Sequence, residues 1–259
     1  MTITGATRVY ALLGDPLHKA RSPEHFNGVI ARAGMHSVLV PLEVSNESFD
    51  PLVGALKSTR NFDGFILTMP YKQSMLKHLD RLGPAASKVG VVNVARRDPD
   101  GRWSGEIFDG VGYVDALRAK GVDVRGKSAC IKGCGAVARA MTVALAEAGL
   151  ARLVASDLQA AQEQALVALL NTHFPALACE AGEMQPDRFD IAINATPLGM
   201  AEGDPLPFEP LAKVVSDVTT KPEITPLLAR ARERGCTITS GADMFNGQAA
   251  RIAAFFGWQ

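Results

Sequence analysis

The chain has 259 residues, of which 47% are apolar and 21% charged, with 27 basic residues against 27 acidic ones. That length holds one large domain or two modest ones, each able to bury a core. A neutral balance, with no basic run interleaved with aromatics, excludes nucleic acid and membrane surfaces as favoured partners and points to a small ligand. Strand and helix alternate from the start. A strand is read over residues 9–13, halted by Gly14-Asp15-Pro16, then a helix over 23–33 with Pro23 in its first turn and Ser22 as N-cap. The loop before that helix carries Lys19, Arg21 and Ser22, a set that could hold a small carboxylate.

A strand over 36–42, a helix over 49–56 and a strand over 62–68 follow, the last ending in Met69-Pro70-Tyr71-Lys72. Such alternation predicts parallel pairing, with ligands gathered at the C-terminal strand ends, where Thr68 and Lys72 fall. Residues 91–94 read as another short strand, and Arg96, Asp98, Asp100, Gly101 and Arg102 as turn chemistry before Trp103. The segment 105–112 is a glycine-punctuated crossing into a helix, and the domain boundary is placed there.

The second half is organised around residues 128–157. A short apolar run reaches Lys132-Gly133-Cys134-Gly135-Ala136-Val137-Ala138, an alanine-rich helix follows, and a second strand ends in Ser156-Asp157. Strand, glycine turn, helix, strand and terminal acid together form a dinucleotide-binding half. Gly133 permits the turn, Gly135 lets a pyrophosphate approach the backbone at Ala136 and Val137, and Ala138 keeps the helix close to the strand. The pyrophosphate would rest on the helix N-terminus, and Asp157 would accept from a ribose 2′-OH.

Further strands are read near 176–180 and over 189–194, 214–218 and 237–239, with a helix over 225–234 and a last helix over 244–256 carrying Gln248. Thr196, Val218 and Gly241 stand at or just beyond the ends of these later strands, where further cofactor contacts are expected. Four cysteines, Cys130, Cys134, Cys179 and Cys236, lack paired metal spacing, so no metal is expected and they read as small buried residues of a reducing compartment. The N-terminus lacks a charged region followed by an apolar core, which gives a cytoplasmic expectation. Monomer and homodimer are equally compatible with this pattern.

These segments resemble the shikimate dehydrogenase family, in register from Gly14 to Gln248. The opening pattern G-x-P-x-x-H-S-x-S-P-x-x-H-N stands here as GDPLHKARSPEHFN, and N-V-T-x-P-x-K as Ile66-Leu67-Thr68-Met69-Pro70-Tyr71-Lys72. A-V-N-T matches Val91-Val92-Asn93-Val94, N-T-D-G-x-G matches Ile107-Phe108-Asp109-Gly110-Val111-Gly112, and I-N-A-T-x-x-G-M is intact over 193–200. T-P-L-L stands at Thr225 to Leu228, and the family's Gln-Ala at Gln248-Ala249.

The resemblance implies a two-domain α/β fold with the active site in the cleft between the domains. Residues 1–108 would form a substrate domain with a mixed, mainly parallel sheet, and 109–239 a Rossmann-like dinucleotide-binding domain. The final helix, 240–259, would pack back on the first. It also implies reversible hydride transfer between NAD(P) and a ring hydroxyl of shikimate or 3-dehydroshikimate, in aromatic amino acid biosynthesis. The family's catalytic Lys and Asp fall on Lys72 and Asp109: an ammonium can stabilise and protonate the alkoxide that hydride leaves, and a carboxylate can orient it. Ser22, Thr68, Asn93, Thr220 and Gln248 would hold the substrate.

Departures from the family pattern bear on substrate and cofactor. Ala20 replaces the first serine of the carboxylate-binding pair and Lys19 its histidine; Thr220 stands for a tyrosine, Ile66 for an asparagine, and Ile107-Phe108 for Asn-Thr. Quinate, another cyclic hydroxy acid or a less polar ring is therefore the alternative substrate, and a low-activity metabolite-binding regulator the alternative role. NADP-using members carry Asn-Arg-Thr where Ser156-Asp157-Leu158 stands, so NAD is expected, with Arg139 and Arg152 keeping NADP possible.

Overall fold

The computed structural model describes residues 2–18 and 20–258. The chain divides into two compact units, Met1–Phe108 with Ala250–Gln259, and Asp109–Ala249. No helix among the described residues is long and apolar enough to cross a membrane.

The first unit opens with β1 (Arg8–Gly14), α1 (Ser22–Arg32), β2 (Ser37–Glu43), α2 (Asn46–Ser58) and β3 (Phe62–Leu67), and continues with β4 (Arg81–Leu82), α3 (Pro84–Val89), β5 (Val94–Arg97) and β6 (Trp103–Glu106). Its sheet has the order β2-β1-β3-β5-β6-β4. β1 is parallel to both neighbours, whereas β5 is antiparallel to β3 and β6. The helices dock through pairs four residues apart, Phe26 with Ile30 on α1 and Phe49 with Val53 on α2. The C-terminal segment adds an aromatic cluster: Trp258 stacks on Phe256 at 4.5 Å between ring centroids, and Tyr10 meets Trp258 edge-on at 4.8 Å.

Two local readings are corrected in this unit. Ser22 is the first residue of α1 rather than its cap; Arg21 holds the cap position, with no side-chain cap bond. The strand read at 91–94 begins only at Val94 and runs into Arg96 and Arg97, which pair with Ser104 and Trp103. Arginines fit this strand because Arg97 lies over the Trp103 ring at 5.1 Å and donates to the carbonyls of Lys57, Thr59 and Phe62. Tertiary partners thus outweigh the turn character of the sequence.

The second unit comprises α4 (Asp109–Ala119), β7 (Ser128–Lys132), α5 (Ala136–Glu147), β8 (Arg152–Ser156), α6 (Ala160–His173) and β9 (Ala178–Ala181), then β10 (Ile191–Asn194), β11 (Val214–Asp217), α7 (Pro226–Glu233), β12 (Thr237–Thr239) and α8 (Gly241–Phe256). Every pairing is parallel, in the order β12-β11-β10-β7-β8-β9. Ala129, Cys130, Ile131, Ile191, Ala192 and Ile193 are completely buried, so β7 and β10 read as continuous apolar runs. Read from β9, this is the doubly wound dinucleotide-binding order, with its switch point between β7 and β10. The division between units falls within α8, after Ala249, where the sequence reading began the returning segment at residue 240. The first half of α8 belongs with α4 because the backbones touch: a Cβ on Gly247 would collide with the Gly112 carbonyl oxygen.

Candidate active site

The glycine turn lies at the switch point, directly after β7. Gly133 has φ +96°, and a Cβ there would sit 2.8 Å from the Ala195 carbonyl oxygen, so the loop after β10 leaves room only for glycine. Gly135 is open instead: a Cβ would meet nothing within 4 Å, which leaves backbone accessible to a ligand. Gly135 also caps α5 without any side-chain bond, and α5 begins at Ala136, so its first-turn N–H groups have no capping side chain. Ala138, 1% exposed, packs that helix against the sheet. Cys134 is buried, and burial pushes its thiol up to about 12; like the other three cysteines it forms no disulfide.

Asp157 closes the same turn. One carboxylate oxygen accepts from the Cys134 N–H at 2.7 Å and the other from the Gln159 N–H at 3.0 Å. Each oxygen keeps a further lone pair, so a diol can still be accepted. Leu158, the next residue, is 99% exposed. Arg152 points to other partners than a phosphate at this turn. It begins β8, at the strand end opposite Asp157, donates to Glu180 and lies over Phe189. Arg139 donates to Gln162 on the first turn of α6.

The loops after β10 and β11 are folded by two side chains that the motif reading did not single out. Asn194 accepts from the Thr196 N–H and hydroxyl at 3.1 and 2.6 Å and donates to the Leu198 carbonyl. Asp217, its register partner, accepts from the Thr219 N–H. Thr196, Val218 and Thr220 therefore hang on turns built from the strand ends. Gly241 opens α8, and a Cβ on it would collide with the Val218 carbonyl oxygen. The signal available in sequence was position alone, a short polar residue closing a strand two residues before a loop N–H.

Asp109 is the first residue of α4 and 3% exposed. The glycines that follow it are there for packing. A Cβ on Gly110 would strike the Ala140 carbonyl oxygen of α5, and one on Gly112 would lie 2.7 Å from Gln248 Cβ and 2.8 Å from the Met244 carbonyl oxygen of α8. α4 is thus wedged between two helices by its missing side chains. That crossing sets Gln248, which is 6% exposed, against Gly112, one helical turn after Asp109 in the sequence of α4.

In the first unit, Lys72 and Asn93 are buried and Thr68 and Ser22 half-buried. Thr68 follows β3, its N–H bonded to the Leu13 carbonyl at 3.0 Å. Val92 N–H donates to the Lys72 carbonyl at 2.9 Å, and Leu67 N–H to the Asn93 carbonyl at 2.8 Å, so the strand-end segment with Thr68 and Lys72 is tied to 92–93. Asn93 Oδ1 in turn accepts from Phe108 N–H at 3.1 Å. Ile66 is 4% exposed and Phe108 packs on Phe255, ring centroids 5.9 Å apart. Both apolar replacements are therefore taken up by packing. Lys19 lies outside the described residues.

The chain is similar to known proteins over nearly its whole length. Residues 12–95 match the model of the shikimate dehydrogenase substrate binding domain. The shikimate dehydrogenase (NADP(+)) of Lysinibacillus sphaericus is 32% identical, with 96% of this chain and 91% of that protein covered. The chain belongs to the shikimate dehydrogenase family. The corresponding Rubrobacter xylanophilus enzyme is 36% identical over 92% of this chain and 87% of its own.

Among solved structures, shikimate 5-dehydrogenase from Listeria monocytogenes, in complex with shikimate and NAD, superposes with a TM-score of 0.88 at 30% identity, covering 100% of this chain and 94% of that one. A 5-ketofructose reductase of Gluconobacter gives 0.86 at 27%, covering 96% and 92%. Quinate dehydrogenase from Corynebacterium glutamicum, in complex with NAD, also gives 0.86 at 27%, covering 96% and 93%. The chain is accordingly a shikimate dehydrogenase-like, NAD(P)-dependent alcohol oxidoreductase with the two-sheet α/β fold of that family. A nicotinamide nucleotide is its cofactor.

Proposed function

We propose that this protein interconverts shikimate and 3-dehydroshikimate, with Lys72 as the acid/base and Asp109 as the carboxylate that orients it. The observation that carries this reading is the burial of both charged groups, 8% and 3% exposed, at the ends of elements fixed by packing. Buried charges are retained where they are paired or used. Bound nicotinamide supplies the hydride acceptor. In the oxidative direction Lys72 takes the hydroxyl proton as the ring C–H bond gives up its hydride, and the hydroxyl oxygen becomes a ketone. In the reductive direction the same ammonium returns the proton to the alkoxide oxygen. Ser22, Thr68, Asn93, Thr220 and Gln248 hold the ring hydroxyls and the carboxylate. The first unit is thereby the substrate domain and the second the nucleotide domain.

For the cofactor, the residues favour NAD. Asp157 presents a carboxylate where a 2′-phosphate would lie, Leu158 offers no cation, and Arg152 is at the far strand end. The curated relatives are named for NADP(+), so this chain would depart from them. Initial rates with shikimate and each nucleotide test both points: kcat/KM at least tenfold higher with NAD is the expected result, and a preference for NADP overturns the role of Asp157. Replacing Lys72 with Ala lowers kcat by about 10²- to 10⁴-fold; unchanged turnover would remove it as the acid/base. Ala20, where the family carries a serine, favours a second reading in which the best ring lacks the carboxylate or holds it differently. Quinate and an uncharged cyclic alcohol in the same panel decide that.

A further inference from the structure

We infer that the N-terminal end of the first unit's sheet carries a second ligand site, one that takes a free α-amino acid with an apolar side chain. This goes beyond the dehydrogenase reading and shares no residue with it. Its origin is a register shift. β1 pairs with β3 as Val9 with Phe62 but as Tyr10 with Gly64, so Asp63 is an extra residue bulged out of the ladder. The bulge leaves Asp63 to pair with Arg8, whose Nε donates to Oδ2 at 2.7 Å and whose Nη2 donates to Oδ1. On the other side of β3, Gly64 stands opposite Arg96, whose Nε donates to Asp98 at 3.0 Å. Between the two ion pairs the missing side chain of Gly64 is replaced by rings: a Cβ there would lie 2.6 Å from Phe256 and 3.0 Å from Tyr10. Those two rings meet edge-on, 5.3 Å between centroids.

These side chains line a cavity of about 340 Å³, within the range of roughly 300–1,000 Å³ in which small ligands are held. Its rings are buried, Tyr10 at 7% and Phe256 at 8% exposed, while the Arg8 and Arg96 side chains are both 42% exposed. The cations are therefore within reach of a ligand. Arg8 uses Nε and Nη2 on Asp63, and Arg96 uses Nε on Asp98 and Nη1 on the Phe255 carbonyl. Among the described residues Arg8 Nη1 and Arg96 Nη2 make no bond, and each Asp63 oxygen keeps a lone pair. Two guanidinium groups against two carboxylates leave the cavity neutral. A plain anion would meet the carboxylates and a plain cation the guanidinium groups, whereas a zwitterion finds an opposite charge for each end and lays its side chain on the rings. The site is also remote from the candidate substrate residues of this unit. Arg8 and Asp63 lie in the first residues of β1 and β3, and Thr68 lies beyond the other end of β3.

Isothermal titration of the full chain with L-phenylalanine tests this, beside phenylpropionate, which lacks the ammonium, and phenethylamine, which lacks the carboxylate. Expected is one site per chain for L-phenylalanine, with Kd at least tenfold lower than for either analogue and at least tenfold higher in R8M and in D63N. Trp258, stacked on Phe256, should report the same midpoint by fluorescence. Absence of saturable binding overturns the site, as does an analogue that binds as tightly as the amino acid, or an unchanged Kd in either variant. Should R8M fail to fold, D63N and the two analogues decide. Saturating shikimate should leave the titration unchanged; competition would put the amino acid in the candidate active site and sink this inference only. A parent that binds L-phenylalanine as expected but turns over no shikimate keeps the second site and sinks the dehydrogenase reading instead.

Discussion

The two units hold their candidate residues by different mixtures of close glycine contact and side-chain support. In the second, backbone meets backbone: Gly110 against Ala140, Gly112 against Met244 and Gln248, Gly133 against Ala195, Gly241 against Val218. In the first, large side chains add to the backbone bonds that tie Thr68 and Lys72 to 92–93. Tyr71 donates to the Val44 carbonyl and stacks on Phe49 at 4.3 Å, Asn93 accepts from Phe108 N–H, and Glu106 accepts from the N–H groups of Ala86 and Ile107. An all-parallel sheet delivers its loops to one edge, and glycine lets them crowd there. A mixed sheet with antiparallel strands gives no such common edge, so larger side chains bridge between irregular segments.

The sharpest way to break this contrast is Trp258→Ala. Trp258 is 1% exposed in the aromatic cluster of the first unit, and its truncation costs about 3–5 kcal/mol. Calorimetry should register a fall in melting temperature on the order of 10 °C, while affinity for reduced nucleotide, proposed above to belong to the second unit, stays at the parent value. A lost affinity would mean that the two means of support are not separable. Next is Gly112→Ala, which overpacks the α4–α8 crossing and destabilises by about 1–3 kcal/mol. Unlike Trp258→Ala it should also lower kcat, because Asp109 and Gln248 share that crossing; a destabilised variant of normal kcat would unlink glycine packing from the site.

Tyr71→Phe leaves the Val44 carbonyl without its donor and costs about 1 kcal/mol. Urea midpoints of parent and variant measure it, and identical midpoints would show that stacking alone holds the segment before Lys72. The smallest effect is in pH. Burial, followed by the charges of Arg32 and Arg21, holds His25 below its ordinary 6.5. The unfolded chain therefore binds the proton first, so stability is full above about pH 6.5 and declines as pH falls through the folded value. Melting temperatures between pH 7 and 5 should fall less steeply in His25→Gln than in the parent.

Local patterns carried much of this into view. The strand positions of the second unit, the turn at Gly133, the acid at Asp157 and the helix opening at Asp109 follow from apolar periodicity and turn chemistry over windows of a few residues. The β5–β6 hairpin did not, because Arg96 and Arg97 resemble turn residues until Trp103 and the carbonyls of 57–62 are set beside them. Ser22 resembled a cap for the same reason: its sequence neighbours suit one, and α1 begins a residue earlier.

The sequence by itself determined the order of elements, the dinucleotide-binding half and the family, since each is written in residues close together along the chain. Only the tertiary structure decided why Gly112 and Gly241 must be glycine, why α8 divides after Ala249, and what Asp217 and Asn93 hold. Those answers join residues 112 with 247–248, 241 with 218, 217 with 225 and 93 with 108. A close approach between distant segments depends on how the helices and strands pack, and no local periodicity records it.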